Sequence, residues 1–221
     1  MKIPCPEAEI DLSARLDSPL QATHLLVLAH GAGAGLEHKN MMAISEAMNA
    51  VGIATLRYNF PYWELGKRRP DRPSVATKAV QAAVRFAVEV SNGVPVLAGG
   101  KSFGGRMTST AASADTLPGI DGLVFFGWPL HAPGKPGIDR AAHLQNVQCP
   151  MLFLQGERDK LAECELIRKV TDGLDHSSLE LFEWADHSFQ VPKKSGLTSD
   201  QIMVLLGKTV RNWIDRGMRS V

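Results

Sequence analysis

Cysteine is scarce in this 221-residue chain: Cys5, Cys149 and Cys164 lie far apart, with no C-x-x-C pair among them. An odd, scattered set supplies neither a disulfide framework nor a zinc knuckle, and the histidines add no ligand spacing, so no metal is expected. A surplus of one charge is lacking too. The 24 Lys and Arg against 23 Asp and Glu leave a formal net charge of +1, which provides no global field to draw nucleic acid or a membrane surface. No apolar run approaches the ~18 residues of a membrane span, and residues 1–7 lack the apolar stretch of a secretory signal. A cytoplasmic protein without nucleic-acid or membrane partners is therefore the expectation. Internal repeats, low-complexity tracts and Pro/Gly/Ser-rich linkers are absent as well, so residues 1–221 are expected to form one domain.

What is present is ordinary globular composition, 44% hydrophobic and 21% charged, enough for a sizeable core. Short apolar runs recur at residues 24–29, 94–98, 123–126 and 151–154, with more mixed runs at 53–58 and 179–184. Near-continuous apolar character without alternation marks strands buried on both faces of a parallel sheet. Helical spacing occupies about 40–51, 74–90, 104–114, 161–171 and 199–216, with Ser74 as an N-cap candidate. In the last of these, Ile202, Leu205, Leu206, Val210, Trp213 and Ile214 recur at three- and four-residue steps and form one apolar face. This alternation predicts an α/β fold, a doubly wound and mostly parallel sheet with helices on both faces. Residues 7–16 alternate and read as an edge strand, with an antiparallel setting left open.

Gly100, Lys101, Ser102, Phe103 and Gly104 spell G-x-S-x-G between an apolar strand and a stretch of small residues. A serine at such a strand-to-helix turn is held in a strained conformation that flanking glycines tolerate, and its hydroxyl is exposed above the sheet. Asp159 follows the run 151–154, and His187 follows the run 179–184, so the order is Ser, Asp, His, each in the loop after a separate strand. A serine hydroxyl needs a base to accept its proton, the role read for His187. The resulting imidazolium needs a carboxylate, read as Asp159. Glu157 and Asp186 compete for that role, although an immediate neighbour of His187 usually points away from it. Oxyanion donors are expected from the backbone N–H of Phe103 and that of Ala32 or Gly33, with His30 supporting the turn.

Rival motifs fail on their letters. A phosphate-binding G-x-x-x-x-G-K-S loop would need glycine where Pro95 stands, and the third glycine of G-x-G-x-x-G would fall on Leu36. No cofactor is expected. Two long connections, 59–72 and 128–146, follow the C-terminal ends of strands, where open α/β sheets bind ligands. Trp63, Trp128, His131 and Arg68, the last within the basic run 67–69, are therefore candidate substrate contacts, and Phe189, two residues after His187, is a further aromatic candidate. The expected partner is a small-molecule ester. Oligomeric state is not readable.

The full pattern resembles the α/β-hydrolase superfamily across nearly the whole chain, and the lidless layout is similar to dienelactone-hydrolase-like proteins. The nearer likeness is to the small hydrolase-like domain of testis-expressed proteins and a chromatin-complex subunit. It is carried by His30-Gly31-Ala32-Gly33, by Gly100 through Arg106, by Trp128-Pro129-Leu130-His131, by Gly156-Glu157-Arg158-Asp159 and by Asp186-His187-Ser188. The resemblance implies a sheet of about eight strands and a Ser102, Asp159, His187 triad, but no settled substrate. Dienelactone hydrolases carry a cysteine nucleophile where this chain has Ser102, so their lactone chemistry is not implied. The expectation is a serine hydrolase acting on a small to medium carboxylic ester or thioester. A non-catalytic interaction module, a serine peptidase and transfer to an alcohol stand as alternatives.

Overall fold

A computed structural model describes residues 1–219. Its eight strands are β1 (Lys2–Cys5), β2 (Ile10–Asp17), β3 (His24–Ala29), β4 (Ile53–Tyr58), β5 (Val96–Lys101), β6 (Gly122–Phe126), β7 (Met151–Gly156) and β8 (Ser177–Phe182). They form one sheet in the order β1-β2-β4-β3-β5-β6-β7-β8. β3 through β8 are parallel, while β2 runs antiparallel to both β1 and β4. The helices are α1 (Lys39–Asn49), the single turn α2 (Pro61–Glu64), α3 (Pro73–Val90), α4 (Phe103–Ala112), α5 (Cys164–Asp172) and α6 (Ser199–Asp215).

The apolar runs bury both faces because successive side chains divide between two cores. In β3, Leu25, Val27 and Ala29 enter the core beneath α3, α4 and α5. Leu26 and Leu28 enter the opposite core, with Met41, Ile44 and Met48 of α1 and Ile202, Leu206 and Val210 of α6. Each such side chain contributes roughly 1.5–3 kcal/mol on burial. Helices on both faces leave the C-terminal edge of the parallel strands as the ground for a site, as in other open α/β sheets.

Three local expectations are corrected. Residues 7–16 lie one strand in from the edge, because the unforeseen β1 pairs outside β2 and the run 6–8 forms a turn of 3₁₀ helix between them. Arg72, not Ser74, occupies the N-cap of α3, where Pro73 at the first helical position dispenses with a side-chain cap. α6 starts on a capping box, Thr198 accepting from the Gln201 N–H and Gln201 accepting from the Thr198 N–H. Leu205, counted with the buried face of that helix, is 43% exposed.

Candidate active site

Ser102 is the single residue between β5 and α4, with φ 52° and ψ −114°. A non-glycine residue there is strained by roughly 1–3 kcal/mol and persists only where its surroundings over-determine it. They do so here. The Ser102 N–H donates to the Phe126 carbonyl at 3.3 Å, and its carbonyl accepts from the Arg106 N–H at 3.0 Å. Gly104 allows α4 to press against β3, since a Cβ there would lie 2.4 Å from the Ala29 carbonyl oxygen.

His187 comes from the loop after β8, and its Nε2 lies 2.9 Å from Ser102 Oγ. Its Nδ1 lies 2.6 Å from Asp159 Oδ2. Asp159 is buried after β7, where its Oδ1 accepts from the Leu161 N–H at 2.8 Å and its Oδ2 also accepts from Gln155 Nε2. With a carboxylate at Nδ1, the proton on that nitrogen leaves Nε2 free to accept from the serine hydroxyl. Asp186 caps its own turn, accepting from the N–H groups of Ser188 and Gln190. Glu157 is exposed.

The loop after β3 lies opposite. His30 is fully buried: its Nδ1 bonds the Gly31 carbonyl at 2.8 Å, and its Nε2 accepts the Phe60 N–H at 3.1 Å. Burial pushes this imidazole down to about 4, so it is neutral in the fold. The N–H groups of Ala32 and Phe103 have no hydrogen-bond partner among the described residues, as oxyanion donors require. Gly33 is different. Its N–H donates to the Tyr62 hydroxyl at 3.2 Å, so of the two expected alternatives only Ala32 remains free. Arg57, buried in β4, pairs with Asp17 at 2.7 Å and donates to the Leu36 carbonyl, anchoring the far end of the same loop.

Three expected substrate contacts are structural. Trp128 is fully buried, its Nε1 donating to Ser109 Oγ and its N–H to Gln155 Oε1. Phe189 is also fully buried, edge-on to Phe182 at 5.8 Å. His131 is a buried strut between the Ala132 carbonyl and Glu163, the N-cap of α5. Trp63 is 40% exposed and covers Gly35, beside a cavity of about 790 Å³ lined also by Arg15, Leu36 and Asn59. Arg68 is exposed and makes no ion pair among the described residues.

Sequence reasoning missed three residues around the site. Gln155 and Lys101 carried a usable signal, a polar side chain at the end of an otherwise apolar strand. Gln155 joins the Asp159 carboxylate to the Trp128 backbone, and Lys101 Nζ reaches the His187 carbonyl at 2.6 Å. Tyr62 gave none, since its contact with Gly33 spans 29 positions. Among the described residues, no group of three His, Cys, Asp or Glu is placed to hold a metal ion, and no helix is long and apolar enough to cross a membrane.

A family model described as an alpha/beta hydrolase domain matches residues 22–215. Among solved structures, Est1E of Butyrivibrio proteoclasticus with bound ferulic acid superposes with a TM-score of 0.77 at 17% identity, over 97% of this chain and 99% of that one. A dienelactone hydrolase of Anabaena variabilis gives 0.76 at 19%, over 98% and 95%. A serine hydrolase without a lid from Xanthomonas campestris gives 0.75 at 18%, over 96% and 93%. At such identities the likeness is one of fold.

Proposed function

From the premise that this chain belongs to the α/β-hydrolase family, we propose that it is a serine hydrolase that cleaves small to medium carboxylic esters or thioesters through an acyl-enzyme. The observation that carries the reading is the unbroken line from Ser102 Oγ through His187 to the buried Asp159, at 2.9 and 2.6 Å, with the serine on a strained turn.

In this reading Ser102 Oγ attacks the acyl carbonyl while His187 Nε2 takes the hydroxyl proton. Asp159 stabilises the imidazolium and keeps the ring in register. Charge on the tetrahedral oxygen is met by the N–H groups of Phe103 and Ala32, each such donor worth ~2.7–4 kcal/mol in the transition state. Collapse expels the alcohol or thiol, which receives its proton from His187. Water then attacks the acyl carbon while His187 takes its proton, the acyl–Ser102 bond breaks as His187 returns that proton to Ser102 Oγ, and the carboxylic acid leaves.

Esters are favoured over peptides because, among the described residues, the elements are those of one sheet and its flanking helices, with none inserted to select peptide ends. The ferulic acid held by Est1E supports the ester reading by analogy of fold. A panel of p-nitrophenyl esters of increasing acyl length, set beside peptide p-nitroanilides, tests it. Turnover of short and medium esters by the wild type, and at least about 10⁴-fold less by Ser102→Ala, is expected. Ester cleavage that survives in Ser102→Ala overturns the reading, and preferred cleavage of the anilides replaces it with a peptidase.

A further inference from the structure

Lys101 ends β5, immediately before Ser102, and its side chain is buried beneath the loop that carries His187, the residue being 6% exposed. Nζ donates to the His187 carbonyl at 2.6 Å and makes no other hydrogen bond among the described residues. The Phe189 ring lies on one side, its centroid 5.9 Å away. Gly127, at the end of β6 with φ +65°, lies on another. A Cβ at Gly127 would sit 2.9 Å from Lys101 Nζ, 3.0 Å from the His187 carbonyl oxygen and 3.4 Å from His187 Nδ1. The end of β5 and the loops after β6 and β8 thus converge on this one nitrogen.

We propose that Lys101 is a positioning residue of the hydrolytic site, its ammonium holding the His187 carbonyl and so fixing the imidazole between Ser102 and Asp159. The inference rests on the serine-hydrolase reading above. An ammonium is a poor occupant of an apolar strand, and a single acceptor leaves two of its protons without partners. Burial pushes the amine down to about 8, opposed by Asp159 after β7 and Asp186 after β8. These carboxylates and the His187 imidazole are the charged or titratable groups that face it; the β6 end contributes the uncharged Gly127.

The bond to the carbonyl fixes the loop that carries the base from the nucleophile's own strand, and it does so without touching substrate. A displacement of about 1 Å at such a site can cost ~10²-fold in rate.

The test is ester turnover by wild type and Lys101→Met, read as kcat and KM separately, beside the rate of fluorophosphonate labelling. The variant is expected to lose about 10- to 100-fold in kcat and in labelling rate with KM changed little, because the base is displaced and substrate binding is not. A loss carried by KM alone, or a kcat and labelling rate unchanged in the folded variant, overturns the proposal. Should Lys101→Met not fold, ¹³C NMR of lysine Cε groups in the wild type decides. One lysine titrating near 8, and shifting when Ser102 is phosphonylated, is the expected result; lysines that all titrate at ordinary values and ignore the adduct refute it. Failure of the wild type to label at all would instead remove the serine-hydrolase reading, a separate outcome.

Discussion

His30 Nε2 accepts a hydrogen bond from the backbone N–H of Phe60 at 3.1 Å, which ties the loop after β3 to the loop after β4. The bond exists only while that nitrogen is unprotonated. Its Nδ1 already bonds the Gly31 carbonyl, so a charged ring would face a donor with a donor inside a fully buried site. Burial accordingly pushes the ring down to about 4.

A pH dependence of stability follows. The unfolded chain takes up this proton near the ordinary value of 6.5, before the folded chain does, so it binds more protons between about 4 and 6.5. Stability rises with pH across that window, is fully present above 6.5 and is lost on acidification through it. Urea unfolding followed from pH 7 to pH 4 is expected to show the midpoint falling more steeply in wild type than in His30→Asn. Parallel curves would show that His30 carries no such linkage.

Tyr62 accepts the Gly33 N–H at 3.2 Å and so shapes the turn from which the Ala32 N–H emerges. Tyr62→Phe keeps the buried ring but leaves Gly33 without its partner. In the proposed mechanism Ala32 is an oxyanion donor used in the transition state, so ester turnover is expected to fall about 10-fold through kcat, with KM changed little. An unchanged kcat would show that Ala32 is held independently of Tyr62.

Arg57 is buried in β4, pairs with Asp17 and donates to the Leu36 carbonyl. Arg57→Met removes these contacts and a longer ion pair with Glu37 at 3.7 Å, and leaves the Leu36 carbonyl without that donor. Asp17 keeps Arg15 at 3.0 Å and is partly exposed, so the cost is expected at the low end for breaking a buried pair, about 3 kcal/mol. Denaturant unfolding measures it, and a loss below about 1 kcal/mol would place this pair with ordinary surface ion pairs.

The meeting of Ser102, Asp159 and His187 was legible because it depends on chain order. In a parallel sheet each strand delivers its following loop to the same edge, so residues after β5, β7 and β8 gather there whatever lies between them. The apolar runs were legible for the same reason that they are buried, both faces being covered by helices. β1 was hidden because Lys2–Cys5 is too short to show a period. Trp128 and Phe189 misled because an aromatic residue just past a strand reads alike whether it turns toward an opening or back into the core. Trp128 turns inward to Ser109, and Phe189 turns inward to Phe182. Gly33 could not be separated from Ala32 without the Tyr62 hydroxyl, which arrives from another loop.

In the proposed mechanism Ser102 is a nucleophile activated by His187 and Asp159. Fluorophosphonate treatment followed by peptide mapping by mass spectrometry puts this to the test, on the wild type beside His187→Ala and Asp159→Asn. One adduct is expected, on Ser102, formed in the wild type and reduced at least about 10³-fold in rate in both variants. An adduct on another residue, or labelling of Ser102 that proceeds undiminished without His187, would contradict it.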